Sequence, residues 1–170
     1  LACSILLTPS QEIAEKVAVE VDKQLAKLTR NEIAKKSIES YGRIVVTETM
    51  EEAIDLANEI APEHLELAVE NPFDYLNKIR NAGAIFLGEY SPEPLGDYFA
   101  GPNHTLPTSG TAKFASPLSV DAFIKKSSVI YYTREALTAV KDKIIRIAES
   151  ETLTAHANSI RVRFESDEDE

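Results

Sequence analysis

The sequence predicts an α/β fold: a largely parallel sheet with helices on its faces, followed by a small helical appendage. Three observations predict it. Short apolar runs alternate with amphipathic stripes of helical period, the order that parallel sheets require. The stretch from Ser91 to Pro117 interrupts that alternation, since it holds five of the eight prolines and three of the six glycines. Beyond it, Glu135 to Ser150 is again an amphipathic stripe. With 170 residues, 44% of them hydrophobic, the chain can bury a real core at a length suited to one domain or one and a half.

Each element has its own justification. Ser4 to Thr8 (SILLT) is an apolar run stopped by Pro9 and Ser10, which suits a buried strand followed by a helix cap. From Gln11 to Leu28, the residues Ile13, Val17, Val21, Leu25 and Leu28 recur at helical spacing and predict one amphipathic helix. Gly42 precedes a second strand, Arg43 to Thr47, and a capping box from Thr49 to Glu52 opens a helix that runs to Ile60. Pro72 with Phe73, Leu76 and Ile79 marks another helix, and Gly83 to Gly88 is a glycine-bracketed strand. The 91–117 stretch reads as loop, which at that length in a compact domain is either a wrong assignment or a functional loop. Val120 to Tyr132 is apolar and predicts a helix then a strand, and Glu135 to Ser150 carries Leu137, Val140, Ile144 and Ile147 on one face of a single helix. A boundary is placed near residue 118, with a small helical segment over 119–164 and an acidic tail over 165–170.

Charge and composition exclude several classes. The 28 acidic against 18 basic residues leave a formal net charge of -10, which opposes binding to nucleic acid or to an anionic membrane surface. No apolar run reaches the ~20 residues of a bilayer span. The single cysteine, Cys3, makes no internal disulfide and implies no oxidising compartment, so a cytoplasmic location is expected. The chain starts at Leu1 and its only methionine is Met50, so it reads as a processed chain or a piece of a longer one.

All three histidines fall in short segments rich in chemistry. In IAPEHLELA, Glu63 and His64 follow Pro62, a residue favoured at the first helical position. A helix start there would keep His64 neutral and available as a proton acceptor, although Pro-Glu-His at such a place is also an ordinary cap. In SPEPLGDYFAGPNHTLPT, Asp97 follows Gly96 and His104 comes seven residues later. A proline-restricted loop presenting a carboxylate and an imidazole suits a metal or polar ligand, although an Asp in a Gly-Asp turn is more often a structural turn residue than a ligand. In ETLTAHANSI, Glu151 and His156 are five apart, which on one helix sets them roughly 140° from each other.

APEHLEL, GAIFLGEYSPEPLGDYFAGPNHTLPT and LTAHANSIRV, in this order and at these separations, resemble the C-terminal part of histidinol dehydrogenase. The resemblance covers the chain from ILLTP to the LTAH segment; the acidic tail departs from it. It implies that 1–118 is the second half of an incomplete Rossmann-like domain and 119–164 a helical dimerisation segment. It further implies a zinc- and NAD-dependent oxidation of L-histidinol to L-histidine, in a homodimer whose sites are shared between subunits. Glu63 and His64 are similar to the family's catalytic pair, and Asp97 and His156 to its zinc ligands, the latter from the partner subunit. His104 and Glu151 match residues that hold the substrate together with His64, Asp97 and His156, with Tyr98 beside them. The family segment supplying a glutamine and a histidine to the metal, and the cofactor-binding region, fall outside this chain, so it is expected to be inactive alone. Two other readings stay open: a zinc hydrolase using Glu63 and His64, and a dimer-forming fragment without chemistry of its own.

Overall fold

The computed structural model describes residues 2–165. They form two compact units that meet in sequence at Ile124 and Lys125. The acidic tail beyond Glu165 lies outside the described residues.

In the first unit, strand β1 (Ile5–Thr8) is followed by helix α1 (Gln11–Leu25), whose first turn is closed by the Ser10 hydroxyl accepting from the Ile13 N–H. Helix α1 ends at Leu25 rather than at Leu28, because its ladder tightens there to three-residue bonds from Lys27 and Leu28. A helix that the stripe reading passed over, α2 (Asn31–Tyr41), returns the chain to strand β2 (Arg43–Val46), which pairs parallel to β1 with Ile5 opposite Arg43. Helix α3 (Met50–Ile60) starts as its capping box predicts, with the Thr49 hydroxyl accepting from the Glu52 N–H at 3.1 Å. The reciprocal bond goes to the Glu48 N–H instead of that of Thr49.

Strand β3 (His64–Leu67), helix α4 (Phe73–Leu76), strand β4 (Ala84–Leu87) and helix α5 (Glu93–Tyr98) complete the regular structure of this unit. Strands β3 and β4 pair parallel, with His64 opposite Ala84 and Leu67 opposite Leu87. Every strand pairing among the described residues is parallel, but they form two separate pairs instead of one sheet. The buried apolar residues of the unit are small, apart from Ile54, Leu67 and Phe86; α3 contributes Ala53, Ile54 and Ala57 on one stripe. Next to them Asn58, also buried, serves as a bracket. Its side-chain oxygen accepts from the Arg80 and Asn81 N–H groups at 2.6 and 3.2 Å, and its amide donates to the Lys78 carbonyl at 3.0 Å. This ties the end of α3 to the segment that leads into β4.

The expected helix and strand between Val120 and Tyr132 do not form. Val120–Phe123 is a single 3₁₀ turn, and Val129 to Tyr132 pairs with no strand among the described residues, leaving Val129 92% exposed. In the second unit the single helix expected over 135–150 is divided into α6 (Arg134–Thr138) and α7 (Lys141–Ser150). The Thr138 hydroxyl donates back to the Arg134 carbonyl at 2.8 Å, a bond that bends helices. Helix α8 (Thr154–Arg161) then packs on α7 over the buried alanines Ala148 and Ala157.

Candidate functional site

The site is built on the first residue of β3. Ala61 closes α3 in the left-handed conformation, with its N–H bonded to the Ala57 carbonyl, so the chain has left the helix before Pro62. His64-Leu65-Glu66-Leu67 then alternates polar and apolar residues, the period of a strand. The helix start expected at Pro62 is therefore wrong, and the electropositive helix mouth invoked to keep His64 neutral is not there. Pro62 was a misleading signal because it also suits the first residue of an extended segment. The pairing is fixed at once: the Gly83 and Ala84 N–H groups donate to the Pro62 and Glu63 carbonyls at 2.9 and 2.8 Å. A Cβ at Gly83 would lie 2.5 Å from the Glu63 carbonyl oxygen, so glycine is what lets the two chains approach.

In a strand, residues two apart share a face, so His64 and Glu66 project together. Their neighbour across the pair is Phe86, opposite Glu66 in register, whose buried ring lies 6.0 Å from the His64 ring. Helix α5 lies on this ring. A Cβ on Gly96 would come within 2.6 and 2.8 Å of two Phe86 ring carbons, which is why the residue before Asp97 has no side chain. The N-terminus of α5 has no cap of its own at Pro92; the Glu66 carboxylate accepts from the Glu93 N–H at 2.8 Å.

With α5 held in this way, Glu93 and Asp97, one turn apart, both face His64. Its Nε2 is 3.7 Å from a Glu93 oxygen and 3.7 Å from an Asp97 oxygen. It is buried without a hydrogen-bond partner, since those distances exceed hydrogen-bond range. One ligand atom from each of the three residues lies within 4.8 Å of the others. Two ligands on one tetrahedral zinc, each bonded at about 2 Å, stand about 3–4 Å apart, so nitrogen and oxygen donors at this spacing suit a divalent cation. Burial, and then the neighbouring Asp97, raise the Glu93 carboxyl above its ordinary range, with His64 acting in the opposite direction. The arrangement can pass a proton at an imidazole, hold a cation, or do both.

The other expected site residues are placed as follows. Glu63 immediately precedes His64 and is half-buried, whereas Tyr98 at the end of α5 is 84% exposed. His104 is exposed in the following loop and is not among the three grouped residues. Glu151 and His156 belong to the second unit and are exposed. They do not share a helix: Glu151 follows the end of α7, Thr152 has a positive φ, and His156 lies within α8. Sequence reasoning missed Glu93 and Glu66. Their signals were present, in the four-residue step from Glu93 to Asp97 and the two-residue step from His64 to Glu66.

Parallel strand pairs with covering helices define an α/β protein, and at the start of one strand an imidazole stands among carboxylates whose spacing could hold a metal ion. The chain belongs to the histidinol dehydrogenase family, whose model matches residues 1–164. It is 61% identical over 167 residues to the histidinol dehydrogenase of Caldanaerobacter subterraneus subsp. tengcongensis, covering 98% of this chain and 39% of that protein. It is 58% identical over 164 residues to that of Clostridium acetobutylicum, covering 96% of this chain and 38% of that protein. The crystal structure of histidinol dehydrogenase from Elizabethkingia anophelis superposes with a TM-score of 0.81 at 41% identity, over 95% of this chain and 37% of that one. The chain thus spans about two fifths of the length of these relatives. Its fold is that of an incomplete Rossmann-like α/β domain.

Proposed function

We propose that this chain supplies the base-bearing part of a histidinol dehydrogenase that oxidises L-histidinol to L-histidine through histidinal. The observation that supports this most is the His64 Nε2, buried, without a hydrogen-bond partner and flanked by Asp97 and Glu93. His64 accepts the alcohol proton as the carbinol is oxidised, and in the second oxidation it accepts a proton from the aldehyde hydrate. Glu63, its neighbour in the chain, takes the proton of the water that adds to the aldehyde. His104 holds the substrate, with Tyr98 beside it; Glu151 is assigned to substrate binding by the resemblance alone.

The donor chemistry around Asp97 fits zinc, and Asp97 of one subunit with His156 of the partner subunit would hold it in a homodimer. Zinc would bind and orient the substrate as a Lewis acid, and NAD would accept the hydrides. A catalytic zinc takes about three protein ligands, so these two need at least one more. No turn of this sequence has the G-x-G-x-x-G form of a dinucleotide cradle, and no residue of it is assigned to NAD. Among the described residues no helix is long and apolar enough to cross a membrane. The cytoplasm is the proposed place of action on this small molecule.

The convergence of His64, Glu93 and Asp97 favours a second reading, in which His64 is itself a metal ligand. One variant separates the two. In the full-length enzyme, His64→Asn lowers turnover about 10²- to 10⁴-fold with zinc content unchanged if His64 is the base. Zinc content falling together with turnover supports the ligand reading, and wild-type turnover refutes both.

A further inference from the structure

We propose that Glu66 is a positioning residue for the site, acting through α5 and resting on the reading of His64 and Asp97 given above. Six-residue helices do not hold themselves in water, so the position of α5 depends on what it is fastened to. Its C-terminal half rests on Phe86 through Gly96, which sets how close it lies but leaves sliding along its own axis open. Its N-terminal half is fastened to β3 by the Glu93 N–H donating to Glu66 Oε1 at 2.8 Å. Pro92, at the N-cap position, supplies no side-chain cap.

The fastening residue stands on the strand that carries His64, two positions on and on the same face. The distance from His64 to the helix is thereby set by a rigid stretch of β3 and one side chain. Glu93, whose amide is bound, and Asp97, one turn later, both stand 3.7 Å from His64 Nε2 in this position. Among the described residues Glu66 makes no hydrogen bond or ion pair with the imidazole or with Asp97. Its contribution is aim, and it depends on an acceptor oxygen at the right reach and not on a negative charge.

That distinction gives the test, made in the zinc-loaded full-length enzyme with Glu66→Gln, Glu66→Asp and Glu66→Ala. The glutamine keeps an oxygen at the same reach and should keep kcat close to wild type. The aspartate keeps the charge but is one methylene short, and the alanine has no acceptor; both should lower kcat about 10- to 100-fold, the effect of a misplacement near 1 Å. The KM for histidinol should change far less than kcat. Should the alanine variant fail to fold, the contrast of glutamine with aspartate decides alone. Aspartate equal to wild type, or glutamine as impaired as aspartate, overturns the proposal. His64→Asn measured alongside separates the two levels: wild-type turnover there removes the reading of the site, and this proposal with it.

Discussion

Replacing Gly96 by alanine opposes two effects of known sign. Gly96 lies inside α5, and no positive φ demands glycine there, so alanine should stabilise the helix by about 0.5–1 kcal/mol. Against this, the new Cβ would stand 2.6 Å from one Phe86 ring carbon and 2.8 Å from another. Ordinary carbon contacts are about 3.5–4.0 Å, so ring and helix must separate by about 1 Å. The ring is 8% exposed and packed beside His64, so the helix gives way. Overpacking of this kind costs about 1–3 kcal/mol, so the net effect is a destabilisation of about 0–2.5 kcal/mol. Moving α5 outward also carries Asp97 away from His64, so zinc affinity and turnover of the full-length enzyme should fall with stability. Urea unfolding of the chain measures the first effect, and metal analysis with steady-state assay the second. In a Phe86→Leu background the clashing atoms are gone, and the same glycine-to-alanine change should become neutral or stabilising. A rise in stability on Gly96→Ala in the wild-type background would refute the packing argument.

Two further outcomes are expected. Asn58→Ala removes the acceptor for two backbone N–H groups and the donor to the Lys78 carbonyl, so it should destabilise the chain by about 2–4 kcal/mol, read by urea unfolding; a loss below about 1 kcal/mol would show that solvent replaces the bracket. Glu93 is an acid whose folded-state pKa is raised, so its ionisation costs stability as pH rises through the window above its ordinary 4.5. In metal-free chain, Glu93→Gln should therefore be more stable than wild type at pH 7, by only a few tenths of a kcal/mol because the side chain is 38% exposed. The two should converge towards pH 4 in thermal unfolding, and an advantage that grows as pH falls would contradict the assignment.

Elements with a redundant local code were legible, and those decided by distant contacts were not. The Thr49 cap and the stripe behind it name α3 twice, and the glycines around Ala84–Leu87 bound β4. Pro62 carried two meanings, and the alternation of His64 to Leu67 was the better guide, but four residues are too few for periodicity to outweigh a proline. Val129 to Tyr132 has the composition of a strand, yet a strand exists only where a partner supplies its hydrogen bonds. In the site, the segment around Asp97 stood out because prolines and glycines mark it. Glu93 and Glu66 did not, since acidic residues are common in this chain and only the packing of α5 on β3 and β4 gives these two a task.

The bracket at Asn58 has a consequence for how the molecule opens. Its bonds to Lys78, Arg80 and Asn81 and the bond from Glu93 to Glu66 join residues 20 to 27 apart, all between positions 58 and 93. Closing loops of such similar length differs by less than about half a kcal/mol, so none of these contacts is much harder to make than the next. They are also interdependent: the bracket delivers Gly83 to β3, that pairing places Phe86, and Phe86 seats α5. The amides of Arg80, Asn81, Ala84 and Glu93 should then exchange their hydrogens as one cooperative group, at a common rate, and release of any one of them releases the rest. The imidazole, the two carboxylates and the strand that aims them would open and close as a single unit, with no stage at which the site is half assembled.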